Sequence, residues 1–389
     1  MARELDVTAI PAGWKYDLLD KFAERCSGHT PSKSHPEYWN GGIKWISLTD
    51  SYRLDKGYVY ATDKEISQKG INNSSAELHP AETVVLSRDA GIGKSGVMAE
   101  AMAVSQHFIA WKCDNKEKLN SWFLYNWLQL NKAEFERQAV GSTIKTIGLP
   151  YFKKLKIAVP PYSEQKKIAK ILSTWDKAIA ATEKLLINSQ KQKKALMQKL
   201  LTGKKRFMGF SGEWKPAQLR NIAKVVKGKA LSSKDLIEGE VPVIAGGKSS
   251  PYKHCHFTHE NVVTVSASGS YAGYVAYHPH KIWASDCSVV VAKEDSSIGY
   301  IFQLLVFMQE KIYSLQSGGA QPHIYPKDIE SLHVLIPPKR EQEKLSIVLT
   351  ICDNEIETLK QQLNHLKQEK KALMQQLLTG KRRVQTEAA

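Results

Sequence analysis

The stretch Arg88-Asp-Ala-Gly-Ile-Gly-Lys-Ser95 has the glycines and the Lys-Ser ending of a phosphate-binding loop. A nucleotide-binding loop of this type requires glycine at position 88, and Arg88 stands there instead. Nucleotide binding is therefore not indicated. A glycine-rich polar turn can still bring backbone amides and short donors close to a phosphate, as a nucleic-acid contact requires.

The segment Val159-Pro-Pro-Tyr162 is similar to the motif in which amino-methyltransferases hold a target amine between a polar residue and an aromatic ring. Here valine replaces the polar residue, and a second copy reads Ile336-Pro-Pro-Lys339. No glycine-rich cofactor fingerprint follows a strand nearby. We therefore interpret both segments as junctions between a strand and a helix.

Histidines and cysteines offer a second kind of chemistry, because both can bind metal ions. The cysteines are odd in number and form no CxxC pair, so neither a disulfide framework nor a four-cysteine zinc site is indicated. The histidine cluster leaves metal binding as an alternative, and spacing reveals no Ser-His-Asp or paired-carboxylate arrangement. We predict a non-catalytic chain that binds no metal and no cofactor. The residues considered are Cys26, Cys113, Cys255, Cys287 and Cys352, with His254, His256, His259, His278 and His280.

The composition favours a folded protein with a polyanionic partner. The 389 residues include 55 Lys and Arg against 39 Asp and Glu, which gives a net charge of +16 and a pI near 9.4. Such a surplus is typical of proteins that bind phosphates, although many basic proteins do not. No apolar run reaches the length of a membrane span, and the first residues carry acids. We therefore expect a cytoplasmic protein without membrane contact.

An internal repeat determines the architecture. The segment Lys194-Ala-Leu-Met-Gln-Lys-Leu-Leu-Thr-Gly-Lys-Lys-Arg206 recurs 177 residues later, as Lys371-Ala-Leu-Met-Gln-Gln-Leu-Leu-Thr-Gly-Lys-Arg-Arg383. The same displacement relates the two Pro-Pro pairs and the Glu-Gln pairs that follow them. Upstream the likeness is faint, with Trp14 matching Trp214 at a displacement of 200. The chain thus alternates variable domain, fixed helix, variable domain, fixed helix.

Each fixed block predicts a helix of roughly 38 residues, from Glu164 to Leu201 and from Glu341 to Leu378, about 57 Å long. Apolar residues follow a spacing of three and four, with Lys193 and Lys370 as equivalent polar breaks. This pattern predicts a coiled-coil seam, and two copies of one unit would pair antiparallel. The predicted pairing residues are Leu172, Trp175, Ile179, Leu186, Leu196 and Leu200, with Leu349, Ile356, Leu359, Leu363, Leu366, Leu373 and Leu377.

The variable domains combine strand patterns with one helix each, so we predict an α+β class. Both copies predict three strands, and the helices fall at about 121–138 and 298–315. The predicted strands are Ile43–Ser47, Val84–Ser87 and Phe108–Lys112, then Val241–Ala245, Val262–Val265 and Ser288–Ala292.

Glycine-rich polar loops recur between these strands in both copies, and we predict that they contact DNA. A single Gly-Ser turn is most often only a turn, so the prediction depends on the recurrence. Arg, Lys, Gln and His can reach base edges or phosphates from such loops. The residues predicted to bind DNA are Arg88, Lys94, Thr143 and Lys145, with Lys248, Ser268, Tyr271, Gln321 and His323.

The complete pattern resembles the specificity subunit of type I restriction-modification systems, over about residues 11 to 383. Two variable domains, each closed by Pro-Pro-x-x-Glu-Gln and a long helix ending in Leu-Leu-Thr-Gly, carry the resemblance. Further matches are the segments Gly28–Pro31, Trp39–Ile46 and Gly318–Pro322. The resemblance implies a chain that reads a bipartite double-stranded DNA target with a nonspecific spacer.

The resemblance also implies partners: two adenine-N6 methyltransferase subunits that use S-adenosylmethionine, and restriction subunits that use ATP and Mg²⁺. These cofactors would lie on the partners, in a complex that serves DNA methylation and phage defence. We accordingly expect two target-recognition domains, two long antiparallel coiled-coil helices between them, and a disordered tail. The expected bounds are 1–160 and 207–338 for the domains, 161–206 and 339–383 for the repeated helices, and 384–389 for the tail.

Two alternatives remain open. The chain could carry a DNA-modifying site of its own, or the same architecture could serve a related restriction or phage-exclusion system. Methyl transfer by the purified chain without a partner would identify the first alternative, and neighbouring genes would identify the second.

Overall fold

The computed structural model describes residues 10–113, 118–141, 145–247, 252–319 and 321–385. The chain forms two compact units, one of Met1–Thr182 with Gln362–Ala389 and one of Glu183–Gln361. Each unit combines strands and helices, which confirms the predicted α+β class. The domain bounds expected from the repeat treat the long helices as separate segments, and they stay predictions.

The described residues of unit 1 form ten short strands. A five-stranded sheet has the order β2-β9-β6-β7-β4, a three-stranded sheet has the order β5-β3-β8, and β1 pairs with β10. The strands are β1 (Lys15–Leu18), β2 (Glu24–Ser27), β3 (Trp39–Ile46), β4 (Tyr58–Val59), β5 (Lys64–Ile66), β6 (Val84–Ser87), β7 (Ser95–Met98), β8 (Ala103–Val104), β9 (Phe108–Lys112) and β10 (Lys156–Val159).

Helices close unit 1 on one side of the larger sheet. Phe123, Leu124 and Leu128 of the second helix pack with strand residues such as Trp111 in one buried cluster. The helices are α1 (Gln68–Asn72), α2 (Ser121–Leu130), α3 (Lys132–Gln138), α4 (Leu149–Lys153) and the long α5 (Tyr162–Leu200), which belongs to unit 1 as far as Thr182.

Unit 2 repeats the same plan. Its sheets have the orders β12-β18-β15-β16 and β14-β13-β17, and β11 pairs with β19. The strands are β11 (Lys215–Gln218), β12 (Ala223–Lys227), β13 (Val241–Ile244), β14 (Lys253–His254), β15 (Val262–Ser266), β16 (Val275–His278), β17 (Trp283–Ala284), β18 (Cys287–Ala292) and β19 (His333–Ile336). The helices are α6 (Ile298–Phe307), α7 (Gln309–Tyr313), α8 (Pro326–Glu330) and the long α9 (Lys339–Leu377), which belongs to unit 2 as far as Gln361.

The long helices match the prediction closely, since each has 39 residues and begins just after the double proline. Both end before a glycine in the left-handed region, Gly203 at φ +71° and Gly380 at φ +72°. Such a glycine reverses the chain and caps the last turn without a steric cost. The Pro-Pro segments are therefore strand-to-helix junctions, as predicted.

One sequence expectation was wrong in detail. The single helix predicted at 121–138 is two helices, because Asn131 leaves the helical conformation at φ −93° and ψ 9°. Its side-chain Nδ2 donates to the Trp127 carbonyl at the end of α2. The helix predicted at 298–315 likewise divides, at Met308. A propensity pattern does not register a one-residue break of this kind.

In each unit the start of one long helix packs against the end of the other, and the two run antiparallel. In unit 1, Lys370 Nζ lies 2.5 Å from Asp176 Oδ1, while Arg383 reaches Glu164 near the beginning of α5. In unit 2, Lys193 Nζ lies 2.5 Å from Asp353 Oδ1. The predicted polar breaks are thus partners in ion pairs at equivalent positions of the repeat.

The residues predicted to pair the helices are buried or half-buried. Leu172, Leu373 and Leu377 join the core of unit 1, whereas Leu196, Leu200 and Leu349 join the core of unit 2. Ile356 is 9% exposed. The remaining members are half-buried, and they are Trp175, Ile179, Leu186, Leu359, Leu363 and Leu366.

Candidate nucleic-acid interface

The loop between β6 and β7 is held in a fixed conformation by its own backbone. Ser87 N donates to Lys94 O at 2.8 Å, and Gly93 N donates to Ser87 O at 3.0 Å. Gly91 and Gly93 have φ values of +81° and +78°, which suit glycine. The loop is therefore a rigid turn that presents its polar atoms in a defined geometry.

Two of the predicted DNA-binding side chains in this loop also bond within the protein. Arg88 Nε donates to the Ile147 carbonyl at 3.1 Å, and Lys94 Nζ donates to the Ser51 carbonyl at 3.2 Å. Arg88 therefore joins the loop to the segment that follows residue 145. Its side chain is 19% exposed, so it offers less surface to a ligand than the sequence suggested.

A cavity of 510 Å³ lies beside the loop, and three lysines line it. Lys132 Nζ pairs with Asp55 Oδ2 at 2.6 Å, while Lys145 is exposed. Glu136 is the one carboxylate among the lining residues, and the loop residues Ala90, Gly91 and Ile92 complete the wall. A concave site with three ammonium groups and backbone amides suits a phosphate group. Lys132 and Ser51 were not singled out by the sequence pattern.

In unit 1 the loop at 88–94 is joined to a second loop at 140–146. Val140 and Thr146 form an isolated β-bridge at the base of the second loop, and Ile147 N donates to Arg88 O at 2.9 Å. Thr143, a predicted contact in this second loop, lies outside the described residues.

Unit 2 joins two loops in the same way. Ser317 and His323 form the bridge at the base of one loop, and Ser268 bridges to His323 from the other. Ile324 N donates to Ala267 O at 2.9 Å. The displacement of 177 residues relates Val140, Thr146 and Ile147 to Ser317, His323 and Ile324. We call these four segments, 88–94 with 140–146 and 267–273 with 317–323, the paired loops.

The paired loops of unit 2 bring the predicted residues Ser268, Gln321 and His323 together. Gln321 is exposed, and its carbonyl oxygen lies 3.0 Å from where a Cβ would stand on Gly318, whose φ is +91°. The Ser268 hydroxyl donates to Asp286 Oδ2. Lys248, the fifth prediction in this unit, lies outside the described residues.

Aromatic rings flank the paired loops of unit 2. The rings of His323 and Tyr325 are stacked with centroids 6.4 Å apart. Tyr271 is 43% exposed and Tyr325 is 58% exposed. An exposed ring beside donors can contact a sugar or base, and Tyr325 was not identified from the sequence. Unit 1 thus presents mainly lysines at its paired loops, and unit 2 presents mainly aromatic and amide groups.

The histidine cluster considered for metal binding is largely part of the fold. His278 Nε2 lies 2.9 Å from the Thr264 hydroxyl, and burial, with a smaller contribution from His280, lowers the pKa of His278 to about 4. The ring of His254 is buried against Trp283. His278 is therefore neutral at physiological pH and adds no positive charge to the surface.

The Glu-Gln pair that follows each Pro-Pro segment is buried and makes hydrogen bonds within its unit. The sequence revealed the repeated pair but not its role. Glu164 and Gln165 follow the first Pro-Pro pair, and both are at most 3% exposed. Gln165 Oε1 accepts from Asn120 N at 2.7 Å, and Gln342 Oε1 accepts from Ser297 N at 3.0 Å. The glutamine of each motif thus caps the helix that begins next to it in the same unit.

No helix in the described part of the chain combines the length and apolar character needed to cross a membrane.

A family model described as "Type I restriction modification DNA specificity domain" matches residues 11–189 and 211–368. The chain is 30% identical, over 99% of its length and 97% of the relative's, to the putative type I restriction enzyme MjaX specificity subunit of Methanocaldococcus jannaschii. It is 21% identical, over 98% of its length and 96% of the relative's, to the MjaIX specificity subunit of the same organism.

Solved structures share the fold. An S subunit of a type I restriction-modification system from M. genitalium superposes with a TM-score of 0.66 and 17% identity, covering 97% of this chain and 98% of that one. A second chain, from a study of complex assembly and conformational transition of the type I R-M system, has a TM-score of 0.57 and 13% identity, covering 95% and 98%. The likeness extends over both units.

Proposed function

The chain belongs to the family of type I restriction-modification DNA specificity subunits, and on this premise we propose that each set of paired loops reads one half of a bipartite DNA target. The observation that carries the proposal is the join between the two loops, which recurs at equivalent positions in both units. The backbone is repeated, whereas the side chains on it differ. Two unlike surfaces on one backbone plan suit two unlike half-sites.

The paired loops of the two units carry different types of side chain, and we assign them different roles in DNA binding. In unit 1, Lys94, Lys132 and Lys145 surround a concave site that suits phosphate, so we assign it to positioning on the DNA backbone. In unit 2, Gln321, His323 and Tyr271 supply amide, imidazole and phenol groups that can reach base edges. The net charge of +16 supports a large contribution from phosphates to the affinity.

We propose that the repeated parts of the chain hold two copies of a methyltransferase subunit. A groove of 380 Å³ beside the start of α5 is lined by β1 and β10 neighbours such as Lys15 and Val159. A groove of 420 Å³ in unit 2 is lined by β11 and β19 residues such as Ala217 and Val334. The two grooves have different lining residues, but the strand pairs β1 with β10 and β11 with β19 are equivalent parts of the repeat. Equivalent parts in two units would fit two copies of one partner. Restriction subunits would join the resulting complex.

The chain itself would bind and position DNA without transferring a methyl group. S-adenosylmethionine, ATP and Mg²⁺ would act on the partner subunits. Members of this family are generally specificity subunits without catalytic activity. The two Pro-Pro segments, which resemble a methyltransferase motif, connect β10 to α5 and β19 to α9. The competing proposal is a modification site within this chain.

Methyl transfer separates the two proposals. The chain is expressed with its methyltransferase partner, and methylation-sensitive sequencing of the host genome identifies the modified motif. The purified chain, the purified methyltransferase and their mixture are then each incubated with that DNA and labelled S-adenosylmethionine. We expect specific DNA binding by the chain and transfer only in the mixture, at one two-part motif. Transfer by the chain alone would overturn the assignment, and an undivided motif would overturn the division between units.

A further inference from the structure

A thiol, an imidazole and a carboxylate meet in unit 1, away from the paired loops. They belong to Cys26, His79 and Glu77, and their ligand atoms all lie within 4.8 Å of one another. Cys26 lies in β2, whereas Glu77 and His79 precede β6. Cys26 is 8% exposed and His79 is fully buried, while Glu77 is exposed. Two of the three side chains are therefore buried, and the third, that of Glu77, is exposed to solvent.

The imidazole of His79 is the unusual member. Neither Nδ1 nor Nε2 has a hydrogen-bond partner among the described residues, although the backbone of His79 is fully paired with Met102. A buried polar atom left unpaired destabilises the fold, so two on one ring need a compensating interaction.

We propose that Cys26, His79 and Glu77 form a binding site for one zinc-like divalent cation. Thiolate sulfur, imidazole nitrogen and carboxylate oxygen are the ligands that zinc takes in proteins, and three of them leave a fourth position for water. Around a tetrahedral zinc, sulfur and nitrogen lie about 3.5 Å apart. Because no two ligand atoms of the group are more than 4.8 Å apart, small side-chain movements would bring them to that separation. On binding, the Cys26 thiol releases its proton to solvent and the sulfur becomes the ligand.

Lys112 shows that the exposed side of this group attracts a cation. Its ammonium lies 3.0 Å from Glu24 and 3.6 Å from Glu77, and Lys112 is the direct cross-strand neighbour of Glu24. The longer contact is the weaker one, so Glu77 can turn to a metal ion while Glu24 keeps Lys112. The ammonium charge near the site nevertheless opposes the metal. Lys112 is therefore a competitor rather than a ligand.

The proposed ion would have a structural role. It would link β2 to the segment that bridges to Met102, and Cys26 and Met102 belong to one buried cluster. An ion that binds only the folded state raises its stability. The site lies outside the paired loops, so the inference does not depend on the proposed DNA-binding function.

Zinc binding to the full-length chain tests the proposal directly. The protein is freed of metal with a chelator and titrated with Zn²⁺ against a chromophoric competitor. We expect about one high-affinity zinc per chain. Cys26→Ser and Glu77→Gln should each weaken binding by about tenfold or more, since loss of even an outer partner of a metal ligand costs about that much. Cobalt should give a thiolate charge-transfer band that Cys26→Ser abolishes.

Two further variants make the test specific. Cys255→Ser removes an exposed cysteine flanked by His254 and His256, and it should leave the high-affinity site intact. Lys112→Met should strengthen zinc binding, because it removes the competing charge. Glu77 is exposed, so its variant reports binding without a folding defect. The proposal is overturned if Cys26→Ser and Glu77→Gln bind zinc like the parent, if Cys255→Ser alone loses the site, or if the parent binds no zinc.

Discussion

Single residues carry the difference between two units that share one backbone plan. Gln303 and Asn126 occupy equivalent positions, 177 residues apart, on α6 and α2. Gln303 Nε2 donates to Asp353 Oδ2 at 2.7 Å, whereas Asn126 Nδ2 donates to the Trp122 carbonyl of its own helix. Asp176 Oδ2, the equivalent acceptor in unit 1, has no partner among the described residues. One methylene group thus decides whether a helix is tied to the carboxylate.

Sequence reasoning identified the loops but could not rank their side chains. The glycines and the recurrence predicted where the turns fall. The bond from Arg88 to the Ile147 carbonyl joins residues 59 positions apart, so no local pattern could reveal it. Lys132 reaches the same cavity from α3 and pairs with Asp55 from far along the chain. Which lysine is available to a ligand is a property of the folded neighbourhood.

Lys145 is the lysine of this cavity best placed to contact a phosphate, because it is exposed. Lys145→Ala should weaken binding to all DNA sequences alike and should reduce the slope of log K against log salt by about one unit. Binding measured at several salt concentrations, with target and unrelated DNA, checks both effects. Lys360→Ala is the control, since it removes the same charge from an exposed face of α9. A loss confined to the target sequence would assign Lys145 to base reading instead.

At the scale of elements, the glutamate of each repeated motif joins one long helix to the segment that follows the other. Arg383 Nε and Nη2 donate to Glu164 at 2.7 and 2.8 Å, and Arg206 Nε and Nη2 donate to Glu341 at 3.0 and 2.6 Å. The periodicity predicted the helix bounds and the antiparallel direction. It did not predict these two bidentate Arg–Glu pairs, because the arginines and glutamates lie outside the apolar seam.

The two Arg–Glu pairs differ in their further hydrogen bonds and in their burial. We therefore expect their removal to lower the free energy of unfolding by different amounts. Trp214 Nε1 also donates to Glu341 Oε2 at 3.0 Å, whereas Trp14 Nε1 has no acceptor within the described residues. Glu341 is fully buried, and Arg383 is more exposed than Arg206. Glu341→Ala should therefore lower the free energy of unfolding by about 3 kcal/mol, near the lower end for a broken buried pair. Glu164→Ala should cost less.

Chemical denaturation of the two variants, with the signal of each unit followed separately, checks this order. Glu343→Ala is a suitable control, because Glu343 is an exposed acid in the same turn of α9. Equal losses in Glu164→Ala and Glu341→Ala would show that the additional tryptophan bond contributes nothing.

At the scale of the whole molecule, side chains of the repeated segments bond to backbone atoms of the variable domains. Gln165 accepts from Asn120 N and donates to Lys118 O and Pro160 O. Arg383 Nη1 donates to Ala12 O at 2.8 Å. Backbone amides and carbonyls are present whatever the side chain, so such contacts tolerate a change of sequence. The repeat in the sequence showed that one part is constant, and these bonds explain how the other part can vary.

This arrangement predicts that the first variable domain can be replaced as a module. Residues 11–158 include all of β1 and three of the four residues of β10, so their antiparallel pairing is carried almost intact with the exchanged segment. The buried Gln165 lies outside it and would find the same backbone donor and acceptor at positions 120 and 118. Glu164 would keep its partner Arg383, which also lies outside the exchanged segment. Exchange with the matching segment of a relative should change one half of the methylated motif and leave the other half as it was.

Methylation-sensitive sequencing of cells that express the hybrid with its methyltransferase partner measures both halves at once, and the parent chain is the control. The unaltered half is the decisive observation, because a misfolded hybrid would lose modification altogether rather than redirect half of it. A motif in which both halves change would show that the two units do not read DNA independently.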